Sequence, residues 1–472
     1  MENTIRTENK MGILPVGKLI ANMSMPPMIS MLVAALYNVV DSIFVARVSE
    51  DALAAVTLVF PMQMLMIAFN NGVGVGLSSL ISRRLGQRRQ SEADAAATHG
   101  FFLALMLWIL YAVIGIFLAR PFLGLFVGAG QPQDILDMAV IYFRIVVIGG
   151  GFFSFSIVIE RCFQSTGNML YPMVFNLVGC AINTVLAPIF IIGYFGAPAL
   201  GVTGAGAVAV FGQMITCVIA LLLFFRTKTL VHVHFKGFRP RPDILRDILA
   251  VAAPTFVMLA VQPVLTAGLN MILITYSTTA VAVLGVFFRT NTFVLLPVLG
   301  LNQGALPVIG YNFGAKNRLR VNAAYFTTLR AAFIIMAIGT AAFWIFTPQI
   351  MTLFNADAEM LKMGVTALRA ISISWVPAAF SIVSVSFFQA LAHGTFALVI
   401  SVVRQLGIIL PAAYFLALYF GVDAAWYAYP IAEVSAFILS FIFYRWIRKN
   451  EVLRLPDGAP VEGTAHLMPE PV

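Results

Sequence analysis

The sequence predicts an all-α membrane protein whose twelve transmembrane helices form two six-helix bundles related by a parallel repeat. Three observations predict it: apolar runs that recur along the chain, basic residues sorted between alternate loops, and a correspondence between the two halves. Composition excludes a soluble globular chain, because 60% of the 472 residues are hydrophobic and only 10% are charged. A bilayer core of roughly 30 Å needs about 20 apolar residues per helical crossing. The runs are continuous rather than alternating, which excludes a membrane β-barrel.

The segment before Leu19 carries Arg6, Glu8, Lys10 and Lys18 and no apolar stretch ending in a small-residue cleavage site, so no removable signal peptide is expected. Helices are then predicted near 18–45, 52–79, 98–120, 135–159, 166–192 and 199–225. The first run holds Pro26 and Pro27 and stops at Arg47. The second stops at the basic group Arg83, Arg84, Arg88 and Arg89. The third ends at Arg120, the fourth at Glu160 and Arg161, the fifth at Gly193 and the sixth at Arg226. A second set is predicted near 243–273, 281–308, 322–346, 360–390, 394–418 and 422–447. The domain reading follows: an N-terminal lobe 1–225, a basic linker 226–242, a C-terminal lobe 243–447 and a polar tail 448–472.

Most of the 29 Lys and Arg fall in the loops of one side, whereas Arg47, Arg120 and Lys362 alone mark the other. The positive-inside rule therefore places both termini in the cytoplasm of a cell inner membrane, which requires an even helix count. Arg226–Arg246, with Pro240 and Pro242, is expected to be a solvated cytoplasmic linker; this placement accounts for the basic balance without nucleic acid. His232 and His234 within it are weak evidence for a metal. Cys162, Cys180 and Cys217 are scattered in or beside apolar runs and read as small buried hydrophobes.

The halves superimpose at a constant offset that brings Pro26 onto Pro254, Phe60 onto Phe288, Gly76 onto Gly304 and Gly86 onto Gly314. After a short gap, Phe155-Ser156-Ile157-Val158 falls on Phe380-Ser381-Ile382-Val383, and Phe163-Gln164 on Phe388-Gln389. Six helices per repeat give both halves the same orientation, with a pseudo-twofold axis along the membrane normal. Such an architecture suits a secondary transporter that opens a cleft to alternate sides.

Several segments resemble motifs of the multidrug and toxic compound extrusion (MATE) family, and within it the bacterial MepA-like branch. They are Tyr37-Asn38-Val39-Val40-Asp41-Ser42 with Ala52-Leu53-Ala54-Ala55, Ser79-Leu80-Ile81-Ser82-Arg83-Arg84-Leu85-Gly86, Phe163-Gln164-Ser165-Thr166-Gly167-Asn168, Gly310-Tyr311-Asn312-Phe313-Gly314-Ala315-Lys316 and Phe388-Gln389-Ala390-Leu391. The likeness runs from residue 18 to about 447. It implies a MATE-like fold of two V-shaped lobes that exports cationic or aromatic drugs, driven by entry of protons or sodium ions and acting without a cofactor. A monomer in contact with membrane lipids is expected.

A charge deep in a membrane helix must be paired, hydrated or neutralised, so the few ionisable residues there are candidate sites. Asp41 leads: a carboxylate holds a proton or cation and releases it when water or a charged substrate arrives. Tyr37 precedes it by one helical turn, on the same face. Asn176 and Asn183 share a face of the fifth helix and join Asp41 and Tyr37 as ion-coupling candidates. The resemblance implies an Asp four residues after Asn183 and a threonine in the sixth helix. Ala187 and Ala209 stand there instead, which leaves fewer oxygen ligands for sodium and favours protons. Repeat arithmetic puts Leu269 opposite Asp41, so the carboxylate is not duplicated.

For substrate contact the candidates are Gln262, Arg289, Asn38, Met31 and Met64, the methionines belonging to a flexible cluster in the first two helices. Glu433 and Arg404 form a possible buried pair, and Glu160 with Arg161 reads as interfacial. The alternative to drug export is a flippase for a lipid-linked saccharide, disfavoured because the helices are nearly free of Lys. An enzyme is not expected, since no HExxH, Ser/Lys dyad or Cys/His set is present, and Gly72-Val73-Gly74-Val75-Gly76 lies in an apolar helix without the context of a nucleotide loop.

Overall fold

The computed structural model describes residues 9–46, 50–124, 133–193, 200–227 and 229–457. Within these, the side chains of residues 37–46, 50, 52, 53, 133 and 192 lie outside the description. Among the described residues every regular element is helical. Eleven helices are long and apolar enough to cross a membrane, and a bent pair supplies a twelfth crossing.

In the first half the spans are Val16–Ala46, Glu50–Gly86, Gln90–Val113 continued to Gly124, Gln133–Ser165, Leu170–Ile192 and Gly201–Arg226. In the second half they are Pro242–Ile274, Thr278–Gly314, Arg318–Leu353, the pair Ala358–Ser372 and Trp375–Ala390, Gly394–Phe420, and Ala428–Asn450. Several extend past the apolar runs that mark them. The second helix carries on to Gly86 and the third begins at Gln90, because polar turns outside the hydrocarbon keep their backbone bonds by remaining helical.

The expected single helix 360–390 is broken. Its two pieces meet at 46°. Pro377 lies in the first turn of Trp375–Ala390, where its ring cannot coexist with a helical carbonyl at Ile373. Ser374 Oγ turns back instead to the Ile371 carbonyl at 2.6 Å. The spans Gln90–Gly124 and Gly394–Phe420 each widen into a π segment, at Ile114–Leu118 and Val403–Ile409.

The internal repeat reappears in the backbone. The second helix ends with Arg88 N–H bonded to Leu85 O and Arg89 N–H to Arg84 O; the eighth ends with Lys316 to Phe313 and Asn317 to Asn312. The fourth and tenth spans match in the same way, Gly167 to Gln164 and Asn168 to Phe163 against Ala392 to Gln389 and His393 to Phe388. All four are Schellman endings, which require a left-handed residue just past the helix. That residue is Arg88, Lys316, Gly167 or Ala392, with φ of 60°, 56°, 91° and 71°.

The chain forms two compact units. One comprises Met1–Met28, Ser82–Arg89 and Ala253–Val472, the other Ile29–Ile81 and Gln90–Ala252. Inside the first unit the ends of the second and eighth helices meet reciprocally. A Cβ on Gly86 would overlap the Tyr311 carbonyl, and one on Gly314 the Arg83 carbonyl. Arg83 and Tyr311 are themselves repeat partners, so the pseudo-twofold axis passes between the two glycines. Farther along the eighth helix, Gly304 lies against the backbone of Met23 and Gly300 against Met28, and Ser24 Oγ donates to Leu301 O at 3.1 Å. Arg320 fastens the N-terminal segment by donating Nη2 to the Met11 and Leu14 carbonyls, both at 2.9 Å.

In the second unit Gly76, the repeat partner of Gly304, takes the Ile248 carbonyl and Ala252 against its bare Cα. Small residues at both places let helix backbones approach where the hydrophobic effect offers no drive between helices. The linker is tied down as well. Its side chains are mostly exposed, but Gln90, Asp94 and Thr98 of the third helix hold Leu230 O, His232 N–H and His234 N–H in register. Four helical residues advance about 6 Å and two extended residues about 6.6 Å, so every turn of the helix meets every second residue of the strap. His99 completes the attachment, accepting Arg241 N–H on Nε2 at 2.8 Å while Nδ1 faces the Ala95 carbonyl at 2.7 Å.

Candidate functional site

Helix Val16–Ala46 carries Tyr37, Asn38 and Asp41, but their side chains lie outside the described residues. The polar constellation visible in the same half is built by the fourth helix, Gln133–Ser165, near its C-terminal end. Spacing creates it: Glu160 and Gln164 are one turn apart, and Arg161 and Gln164 three residues apart, so all three reach a common patch.

Glu160 is 8% exposed and Arg161 4%, which corrects the expectation of an interfacial pair. Gln164 stands between them, donating Nε2 to Glu160 Oε1 at 2.7 Å and accepting Arg161 Nη1 at 2.8 Å. Asn176 of the fifth helix donates to Glu160 Oε2 at 3.1 Å, and Asn71 of the second accepts from Arg161 Nη2 at 3.2 Å. Three helices thus pair both oxygens of one buried carboxylate and both terminal nitrogens of one buried guanidinium, while Arg161 Nε has no hydrogen-bond partner among the described residues. Burial of either charge alone would cost several kcal/mol; here the opposite charges and their amide partners offset it. Gly74 leaves the space for Arg161, since a Cβ there would stand 3.0 Å from Nε. Chemically, the cluster holds a carboxylate whose two oxygens each accept one amide hydrogen bond.

The structure separates the two asparagines that share a helix face. Asn176 serves Glu160, whereas Asn183 is buried beside Gly212 of the sixth helix. Ala187 is buried in an apolar cluster with Val202, Ala205 and Val208. Gln262 and Arg289 are exposed, and Met31 and Met64 half-buried. Leu269 is buried.

Arg404 and Glu433 are brought together in the second half, Nη1 to Oε2 at 3.4 Å. Arg404 sits in the π segment of the eleventh span, and Glu433 on Ala428–Asn450 with its side chain 6% exposed. Neutralisation of each charge by the other is the simplest reason both tolerate the helix interior. Gln389, the repeat partner of Gln164, donates instead to Thr255 Oγ1 at 3.0 Å. The Phe-Gln motif therefore does different work in the two halves.

Sequence reasoning missed the Glu160 cluster as a unit. Its only local signals are the repeated Phe-Gln and the one-turn spacing of Glu160 and Gln164; Asn71 and Asn176 join from other helices and leave no pattern in the chain.

A single family model, MatE, matches this chain twice, over residues 26–189 and 254–415, and the two matches begin at the repeat-related Pro26 and Pro254. The chain belongs to the MatE family. Members of this family are transporters rather than enzymes. Among relatives, Multidrug export protein MepA of Staphylococcus haemolyticus is 25% identical over 429 residues, spanning 90% of this chain and 93% of its own length. Among solved structures, that of MATE in complex with MaD3S superimposes with a TM-score of 0.87 at 28% identity, covering 93% of this chain and 98% of that one. An outward-facing conformation of a multidrug resistance MATE family transporter of the MOP superfamily gives 0.86 at 29% identity, covering 94% and 98%. The MatE assignment and the twelve crossings make the chain a multi-pass membrane protein of MATE-like, MepA-like type.

Proposed function

We propose that this MatE protein is a secondary exporter of lipophilic or cationic drugs in the cell inner membrane, exchanging them for protons, or for sodium ions, by alternating access. Likeness to a multidrug export protein along nine-tenths of the chain carries the reading. The reciprocal Gly86–Gly314 crossing supports it, because it brings two repeat-related helix ends together on the side that the basic loops assign to the cytoplasm.

Asp41 is the exchanging group in this proposal, with Tyr37 one turn away and Asn183 toward the same lobe. An apolar Ala187 at the place of a second carboxylate leaves a single acid there, better suited to a proton than to a sodium ion that needs several oxygens. Gln262, Arg289, Asn38, Met31 and Met64 are the proposed substrate contacts. Arg404 with Glu433 is proposed as a structural pair. The test is Asp41→Asn, expected to abolish drug resistance in cells while membrane expression stays normal. Full resistance in that variant removes Asp41 from the mechanism.

A further inference from the structure

The strap between the sixth and seventh helices does more than join them. After its register with Gln90, Asp94 and Thr98, it reverses in a tight turn in which Phe238 N–H bonds to Phe235 O at 3.2 Å and Gly237 takes φ 73°. A positive φ at the third position is the mark of a type II turn, and glycine is the residue that adopts it without strain. The turn stands level with the place where the third helix changes from polar to apolar. Phe235 lies 5.9 Å from Phe101 by ring centroids, and Phe238 lies 4.9 Å from His99 and 5.6 Å from Phe102.

At that level the turn points its charges outward. Lys236 and Arg239 are exposed, and neither has an ion pair or hydrogen bond among the described residues; Arg241 is instead engaged by Asp243. Phe235 is 58% exposed although it touches Phe101. Asp94, the nearby acid, is occupied by His232 N–H and Gln90. An exposed aromatic ring flanked by two free cations, fixed by hydrogen bonds at the edge of the hydrocarbon, has the chemistry of an interfacial anchor.

We propose that the turn Phe235–Arg239 is a docking site for anionic phospholipid headgroups, with Phe235 entering the interface and Lys236 and Arg239 meeting the phosphates. The occupant follows from charge complementarity. Each cation near an anionic surface strengthens association several-fold, so the pair should prefer anionic over zwitterionic lipid by roughly tenfold or more. The ladder on the third helix gives the strap a reason to be rigid, since a loose loop would lose much of this gain to ordering.

The test uses the full chain with Phe235→Trp in nanodiscs of phosphatidylcholine containing a minor share of brominated phosphatidylglycerol or of brominated phosphatidylcholine. The signal of the parent protein, with its five tryptophans, is subtracted. Residue 235 is expected to be quenched several-fold more by the brominated anionic lipid, and K236Q/R239Q in the same background to make the two lipids equal. Both variants alter exposed side chains, and both leaflets carry the probe lipid, so neither folding nor membrane orientation decides the result. Equal quenching before the charges are removed, no quenching by either lipid, or an anionic preference that survives K236Q/R239Q would each overturn the proposal. None of these outcomes bears on drug export.

Discussion

Gln164 uses both ends of its amide at once, giving a hydrogen to Glu160 and taking one from Arg161. Replacing it with leucine would leave a buried carboxylate oxygen and a buried guanidinium nitrogen without partners. Such orphaned groups cost about 1–3 kcal/mol, and more when charged. Gln164→Leu is therefore expected to lower the melting temperature of the purified protein by several degrees. An unchanged melting temperature would show that the bonds from Gln164 to Glu160 and Arg161 add nothing. Individual residues of this kind are the least legible part of the chain. Glu160 at the end of an apolar run looks interfacial, and nothing in the chain announces that Asn176 will reach it, or Asn71 its neighbour Arg161, from other helices. Arg404 and Glu433 could be paired on paper because few charges lie inside the second half and opposite signs must meet.

At the scale of the element, the apolar runs locate the spans well and their ends poorly. Hydrocarbon thickness sets the apolar length, but nothing stops a helix from continuing in polar form, as Glu50–Gly86 does beyond its membrane portion. The break between Ser372 and Trp375 was readable in principle from Pro377, yet an internal proline kinks some helices and breaks others depending on what repairs the lost bond. The Schellman endings are repeated in geometry but not in residue type. Gly167 suits its left-handed site, while its counterpart Ala392 pays a steric cost there. Ala392→Gly should stabilise the protein by roughly 0.5–1 kcal/mol, detected as a raised melting temperature with transport unchanged. A lowered melting temperature would mean that the Ala392 methyl contributes more by packing than its backbone loses. The strap was invisible to patterning for a different reason: it is held through its own backbone N–H and C=O groups, which carry no signature of side-chain type.

For the whole molecule, the repeat and the distribution of charge together express the fold, because each constrains all the helices at once. Repeat partners Gly86 and Gly314 meet where the axis passes, and each presses against the carbonyl of the other's neighbour. A methyl at either position has nowhere to go except by parting two backbones. Gly314→Ala is expected to cost at least about 1–3 kcal/mol and to impair export, and Gly86→Ala to do the same by symmetry. Wild-type export and stability in either variant would show that the crossing opens without consequence. The proposed function couples an ion gradient to drug movement. The direct measurement is efflux of a fluorescent lipophilic cation in inverted membrane vesicles under an imposed pH gradient and then an imposed sodium gradient. Transport driven by the pH gradient, and lost in Asp41→Asn, is the predicted result; transport under neither gradient would contradict ion-coupled export itself.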